Sequence, residues 1–178
     1  MLKPSESKSV FEIIKSRRSI RKYVDKKIPD EALKRILEAA IWAPSGSNEQ
    51  AWYFVIVRSK EKIEKIKALT PGMMADENPD VVIIACADKK RAYEVAAELG
   101  RDVMSSLDVA MAVQNMMLAA WELGIGSCPK CSINKKALQI LLNLPEHLEP
   151  VLIVTLGYPA EIPSPPPRRS LEEVVKYD

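Results

Sequence analysis

The segment from Asp102 to Leu123 constrains the fold more than any other part of the chain. Its apolar residues recur on nearly every side of a helix, and they are Met104, Leu107, Ala110, Met111, Val113, Met116, Met117, Leu118 and Trp121. A helix that is apolar all round has no face suited to water, so it must be buried in a core or against a partner chain. Gly124 marks its end.

The sequence around this helix predicts further helices alternating with strands. Helices are predicted from two capping boxes, Ser9–Glu12 and Ser170–Glu173, and also after Pro29, from Ser59, from about Lys90 to a break at Gly100, and at 134–142. Strands are predicted at 52–57, 81–87 and 151–156, and the second is apolar on both faces, which is typical of a central strand. Residues 70–80, which carry Met73 and Met74, are predicted to form an irregular loop.

Length and composition are those of an ordinary globular domain. The 178 residues suit one domain spanning 1–178 with a sizeable core, and 47% hydrophobic residues exclude disorder. A formal net charge of +2 gives no reason to expect nucleic acid as a partner. No apolar run approaches the ~20 residues of a membrane span, and the N-terminus holds no apolar signal region. We therefore expect a cytoplasmic protein without a membrane partner.

Most familiar catalytic arrangements are absent from the sequence. The one histidine, His147, lies in a loop before a strand, and no hydrolase motif surrounds any serine or cysteine. Cys128-Pro-Lys-Cys131 is compatible with a redox dithiol, with half of a zinc site or with plain packing. Since a zinc site would need two more ligands, and only Cys86 and His147 are evident, we expect no metal.

Three polar segments remain once those arrangements are set aside. Arg17-Arg18-Ser19-Ile20-Arg21 offers guanidinium groups and a hydroxyl suited to phosphate oxygens. Residues 44–50 form a polar loop, and Arg168-Arg169 follow a proline-rich arm that begins near Pro159. These three segments suit the binding of a phosphorylated cofactor that itself carries out the chemistry.

In order and spacing, these pieces resemble the FMN-dependent nitroreductase superfamily through nearly the whole chain. The motifs that carry the resemblance are Arg17–Arg21, Ile28-Pro29, the loop from Ala43 to Trp52, the helix 108–123 with Gly124-Ile-Gly126-Ser-Cys128, Leu144-Pro-Glu146, Leu156-Gly157-Tyr158-Pro159 and Arg168-Arg169. Two stretches depart from the family pattern. Gln50-Ala51-Trp52 stands where Gln-Pro-Trp is usual, and Cys-Pro-Lys-Cys is unusual at 128–131.

The resemblance implies an α+β fold in which helices flank a central mixed β-sheet. It also implies an intertwined homodimer with two FMN sites at the subunit interface, and a C-terminal arm, 159–178, that reaches the partner. The apolar helix 102–123 independently calls for a partner chain, because a small monomer has little room to wrap it.

The resemblance also implies which residues bind FMN. Arg17 and Ser19, with Arg168 or Arg169 from the arm, would hold the phosphate. Arg18 would lie along the ring system or ribityl chain, and Arg21 near the N1–C2 carbonyl side. From the other subunit, a set of loop residues would close over the flavin: Pro44, Ser45, Gly46, Ser47 and Asn48, with Gln50 in support. The backbone of Pro129, Lys130 and Cys131 would approach flavin N5.

The implied activity is an FMN-dependent NAD(P)H oxidoreductase with ping-pong kinetics. Hydride would pass through flavin N5 to a nitroaromatic, a quinone or a similar small electrophile, so no side chain need act as acid or base. Met73 and Met74 are candidates for a lid or substrate pocket, or for ordinary loop packing. Two alternatives are a flavin-binding redox sensor that uses Cys128 and Cys131, and a specialised member of the superfamily such as a dehalogenase or a flavin-cleaving enzyme.

Overall fold

A computed structural model describes residues 9–178, so the predicted lack of a signal region concerns residues outside this range. Along the chain the elements are α1 (Val10–Ser16), α2 (Asp30–Ile41), β1 (Trp52–Val57), α3 (Lys60–Ala68), β2 (Val81–Asp88), α4 (Lys89–Leu99), α5 (Ser105–Glu122), β3 (Gly126–Lys130), α6 (Lys135–Leu141), β4 (Leu148–Gly157) and α7 (Leu171–Val174). Both predicted capping boxes are present, at Ser9 and at Ser170.

The four strands form one sheet in the order β1-β2-β4-β3. All three strand pairs are antiparallel, so these strands make an antiparallel sheet rather than the expected mixed one. Parallel pairing occurs at an isolated bridge between Ser19 and Ser127, beside β3. Helices cover the sheet, and the expected α+β class is confirmed.

Each face of the sheet carries its own hydrophobic core. Alternate residues of β2 and β4 face opposite sides, because successive side chains of a strand alternate. On one face they pack with α2 and α5 through Ile36, Val109 and Met116. On the other face they pack with α3 and α6 through Ile66 and Leu138.

Strand β3 was not predicted from the sequence. Its residues, Gly-Ser-Cys-Pro-Lys, lack the β-branched and aromatic side chains that mark a strand, and Pro129 cannot donate a backbone hydrogen bond. The segment pairs with β4 all the same, from Gly126 opposite Gly157 to Lys130 opposite Ile153. Proline is tolerated here because β3 is an edge strand.

The helix breaks slightly before the predicted position, because Ala96 and Ala97 leave helical φ and ψ whereas Gly100 keeps them. A π-helical turn over Gly100–Met104 then joins α4 to α5. Among the described residues, the joined segment Lys89–Glu122 is long and apolar enough to cross a membrane by length and composition alone. That qualifies the expectation that no run approaches such a length. Core helices pass the same test, and α5 packs on the sheet through a fully buried face.

Within residues 9–178, part of the surface of α5 is left uncovered. A ridge of apolar residues spaced four apart points outward from the end of α4, the turn and α5: Leu99, Val103, Leu107 and Met111 are each 39% to 60% exposed. Residues three and four apart share one face of a helix, so these side chains form a continuous apolar strip. We call this strip the α5 ridge.

Candidate functional site

Arg17 lies at the point where α1 ends and the chain becomes extended. Its backbone N–H closes the last turn of α1 on the carbonyl of Ile13, and its own φ and ψ are no longer helical. The guanidinium atom Nη1 is buried without a hydrogen-bond partner among the described residues. Burial lowers the pKa of Arg17, the nearby Cys128 raises it, and the charges of Arg168 and Arg18 lower it further. Several positive charges therefore converge around a donor that lacks an acceptor.

The segment after Arg17 is held against the edge strand β3. Ser19 pairs with Ser127, and the backbone N–H of Ile20 donates to the Ser127 carbonyl at 2.9 Å. The Ser127 hydroxyl, like Arg17 Nη1, is buried without a hydrogen-bond partner in the described part of the chain. Sequence reasoning assigned Ser127 no role, although it lies inside the quoted motif Gly124–Cys128.

Tyr23 anchors the far end of the same segment. Its hydroxyl donates to the carbonyl of Ile20 at 2.6 Å and lies 2.8 Å from Thr155 Oγ1 on β4. Burial raises the pKa of Tyr23 well above its ordinary value, so the phenol keeps its proton. The backbone that carries Arg17 and Ser19 is thus fixed at both ends to β3 and β4.

The other arginines of the two basic clusters take different positions. Arg18 donates to the carbonyls of Lys15 and Arg17, and so caps α1. Arg21 is exposed. On the C-terminal arm, Arg169 donates to the carbonyl of Glu173 on α7. Arg168 donates to the carbonyl of Pro167 at 3.2 Å, and its charge acts on Arg17. The structure thus favours Arg168 over Arg169 as the companion of Arg17.

The polar loop 44–50 has an unusual backbone. Ser47, Asn48 and Gln50 all have φ between 49° and 55°, in the left-handed region that residues other than glycine seldom adopt. The Ser45 hydroxyl accepts from the Gln50 backbone N–H at 3.1 Å, so the two ends of the loop are tied to each other. Such strain is costly and accumulates at functional sites.

This loop rests on α5. The N–H of Gly46 donates to both carboxylate oxygens of Asp108, each at 3.2 Å. A side chain at Gly46 would run into the end of Met104. Pro44, Ser47 and Asn48 are exposed. The loop therefore presents polar groups to the outside from a fixed base.

The stretch Pro129, Lys130 and Cys131 divides between core and surface. Lys130 is buried, and its ammonium group lies 2.8 Å from Glu77 Oε2 and 2.9 Å from the Gly72 carbonyl. Its side chain is thereby committed, and only its backbone is free to face a ligand. The same ion pair fastens loop 70–80 to the sheet, where Met73 is buried in the core and Met74 is half exposed.

The cysteines are poorly placed for dithiol or metal chemistry. Cys128 is buried in β3 and Cys131 is exposed just beyond it. Three extended residues span about 10 Å, which exceeds the Cα separation of a disulfide. Burial raises the pKa of the Cys86 thiol to about 12. The described residues contain no group of three side chains suited to a metal ion.

The arginine cluster and the loop lie at opposite corners of the sheet. Trp52, just after the loop, aligns across β2 with Glu149 at the start of β4, whereas Gly126 aligns with Gly157 at its end. Those positions are about 27 Å apart along β4 and three strand spacings, about 14 Å, apart across the sheet. The two corners are thus roughly 30 Å apart, so one chain does not bring both clusters to one small ligand.

The chain is similar to known proteins over most of its length. The model of the Nitroreductase family matches residues 14–158. A protein of Archaeoglobus fulgidus with the provisional name NADH dehydrogenase/NAD(P)H nitroreductase is 39% identical, over 85% of this chain and 86% of its own length. The Bacillus subtilis protein named FMN reductase [NAD(P)H] is 32% identical, over 92% of this chain and 72% of its own length.

Solved structures agree with the sequence relatives. A crystal structure of a nitroreductase family protein from Clostridium difficile superposes with a TM-score of 0.83 at 30% identity. The superposition covers 96% of this chain and 98% of that protein. The structural likeness thus covers nearly the whole chain, and the family match over residues 14–158 includes both Arg17–Arg21 and loop 44–50.

Proposed function

The chain belongs to the nitroreductase family and is an NAD(P)H-dependent flavin oxidoreductase, and we propose that its flavin is FMN, bound between two copies of the chain. We further propose that it works by a ping-pong exchange, with a nitroaromatic, a quinone or a similar small electrophile as electron acceptor. A role as a redox sensor based on Cys128 and Cys131 is less well supported, because the extended backbone between the two residues holds their thiols too far apart to pair.

The observation that carries the proposal is the unpartnered guanidinium group of Arg17. A buried N–H without an acceptor costs free energy, as do positive charges that converge without a counter-charge. The charges of Arg168 and Arg18 act on this group, and the Ser127 hydroxyl, also buried without a partner among the described residues, lies on the strand that pairs with Ser19. A phosphate would supply the missing acceptor oxygens and negative charge together, and FMN carries one such group.

The residues at the two corners fit a flavin mononucleotide. Arg17, Ser19 and Arg168 would hold the phosphate, and the exposed Arg21 would lie beside the ring carbonyls, where a cation favours the negatively charged reduced ring. When bound, the flavin supplies hydride transfer, taking hydride from NAD(P)H and passing reducing equivalents to the acceptor. The chain then has only to bind and orient the flavin and the substrates and to shield them from water, which agrees with the lack of an acid–base pair among these residues.

A second copy of the chain would complete the site. Loop 44–50 lies roughly 30 Å from the arginine cluster of its own chain, as the strand register requires. Across a dimer, the loop of one subunit can instead cover a flavin held by the other. The α5 ridge, apolar and exposed in the single chain, would provide the contact surface for that dimer.

Flavin binding tests the proposal directly. The purified protein should show a flavin spectrum that bleaches when NADH or NADPH is added without oxygen. Arg17→Ala combined with Arg168→Ala removes two charge-assisted contacts, each worth about 1.5–3 kcal/mol, and should weaken FMN binding at least a hundredfold. Riboflavin, which lacks the phosphate, should bind wild type and variant alike.

Arg35→Ala serves as the matched control, because Arg35 is an exposed arginine on α2 paired with Glu122. It should bind FMN as the wild type does. Equal FMN affinity in the double variant would refute the phosphate assignment, and a protein that takes up no flavin at all would refute the proposed function.

A further inference from the structure

The carboxyl group of Glu49 is a buried acid that the proposed flavin site does not use. Its side chain is fully buried at the base of loop 44–50. Neither of its carboxyl oxygens receives a hydrogen bond from an N–H or O–H donor elsewhere in the described residues. A buried carboxylate without hydrogen-bond donors is strongly disfavoured, so the group needs another means of stabilisation.

Asp108 on α5 is the hydrogen-bonding neighbour of the Glu49 carboxyl group. Asp108 is 2% exposed, and its two oxygens accept from the Gly46 N–H. Arg91 is the nearby cation, and it donates its Nε to the Glu49 backbone carbonyl. The remaining charged groups of the surrounding elements are engaged elsewhere: Lys89 bonds the Arg101 carbonyl and Ser105, Arg101 pairs with Asp102, and Asp88 caps α4. The side chain that bonds the Glu49 carboxyl is thus a second acid, Asp108.

Two buried acids in contact cannot both be ionised at low cost, but they can share one proton. Burial, a hydrogen bond with Asp108 and the Asp108 charge raise the pKa of Glu49 to about 7, while Arg91 lowers it. With that proton present, Glu49 donates to Asp108, and the bond closes a ring from the loop to α5 and back through the Gly46 N–H.

We propose that Glu49 is a positioning residue whose shared proton with Asp108 fixes loop 44–50 on α5. The strained residues Ser47, Asn48 and Gln50 flank Glu49 and keep their left-handed backbone only while the base of the loop is held. That this loop covers the flavin rests on the proposed function, whereas the proton-dependent attachment is a property of the chain itself. Raising the pH removes the proton, sets two buried negative charges against each other and loosens the loop.

Because protonation of Glu49 is linked to loop closure, its pKa values in the open and closed loop give the sign and size of the pH effect. Glu49 has a raised pKa in the closed loop and an ordinary one when the loop opens, so closure is strongest at low pH and weakens as pH rises towards 7. With pKa values of about 4.5 open and about 7 closed, opening should become about tenfold more frequent between about pH 6 and about pH 8.5.

Hydrogen–deuterium exchange of the peptide containing 44–52 measures this opening in the flavin-free protein, after correction for the intrinsic pH dependence of exchange. Wild type should show the tenfold rise. Glu49→Gln donates to Asp108 through its amide at every pH, so its corrected exchange should stay flat. Glu146→Gln, at an exposed glutamate, should follow the wild type.

A flat wild-type profile would overturn the proposal, and this decides the matter even if Glu49→Gln fails to fold. An unchanged slope in a folded Glu49→Gln variant would overturn it as well. FMN titrations complete the comparison, since wild-type affinity should fall with rising pH and Glu49→Gln affinity should not. If the protein shows the expected exchange behaviour but binds no FMN, the role of Glu49 is upheld and the proposed function is refuted instead.

Discussion

The buried ion pair between Lys130 and Glu77 provides the most quantitative test of the fold around the site. The side chain of Lys130 is 4% exposed and that of Glu77 is fully buried, with 2.8 Å between their charged atoms. Lys130→Met keeps the length of the side chain but removes its charge. Glu77 would keep the Thr155 hydroxyl at 3.0 Å and the Met74 N–H at 3.4 Å, but would lose its only cation among the described residues.

Removing one partner of a buried pair costs about 3–5 kcal/mol, because the charge that remains is uncompensated. For a chain of this length each kcal/mol lowers Tm by about 2–4 °C, so Lys130→Met should melt about 6–20 °C below the wild type. Lys130→Met with Glu77→Gln leaves a neutral amide in place of the charge. The double variant should regain most of the lost stability.

Lys135→Met is the matched control for this series. Lys135 and Glu149 are also 2.8 Å apart, but their side chains are 51% and 37% exposed. An exposed pair of this kind contributes about 0–1 kcal/mol, so Lys135→Met should lower Tm by no more than a few degrees. Thermal and urea unfolding at one fixed protein concentration measure all four proteins. Equal losses in Lys130→Met and Lys135→Met, or no recovery in the double variant, would refute the reasoning from burial.

Two further substitutions test how the site is assembled. Gly126→Ala would place a Cβ 2.6 Å from Ile20 Cγ1, and should cost about 1–3 kcal/mol by urea unfolding, whereas Gly72→Ala has room and should be nearly neutral. Equal stability of the two alanine variants would show that Gly126 is not needed for close packing. Leu107→Glu puts a charge in the α5 ridge and should weaken a dimer at least thirtyfold in sedimentation equilibrium, while Ile140→Glu on α6 should not. An unchanged native mass for Leu107→Glu would place the dimer contact elsewhere.

Local signals in the sequence predicted most of the elements. The capping boxes at Ser9 and Ser170 and the apolar run of β2 each depend on a few adjacent residues, and each is present in the structure. Strand β3 was missed because its pairing partner is β4, and nothing in Gly-Ser-Cys-Pro-Lys by itself favours a strand.

In the candidate site, too, local features could be predicted from the sequence, whereas contacts between distant parts of the chain could not. The arginines and the serine of residues 17–21 pointed to a phosphate from their side-chain chemistry alone. The structure then places Arg17 and Ser19 beside β3. The choice of Arg168 over Arg169 depends on how the arm folds back, which the sequence does not specify. Glu49 could not be identified, because a glutamate in a polar loop is usually solvated and its burial against Asp108 is a tertiary contact.

The placement of Arg17 is tied to the protection of an exposed sheet edge. An unpaired edge strand invites pairing with other chains, and β3 is both short and interrupted by Pro129, which removes one donor. The segment Ser19–Ile20 covers the start of that edge through the Ser127 bridge and the Ile20 hydrogen bond. Gly126 lets this segment approach, since a side chain there would meet Ile20. Because the same contacts close the edge and fix Arg17, a change that opens the edge should weaken flavin binding and promote aggregation together.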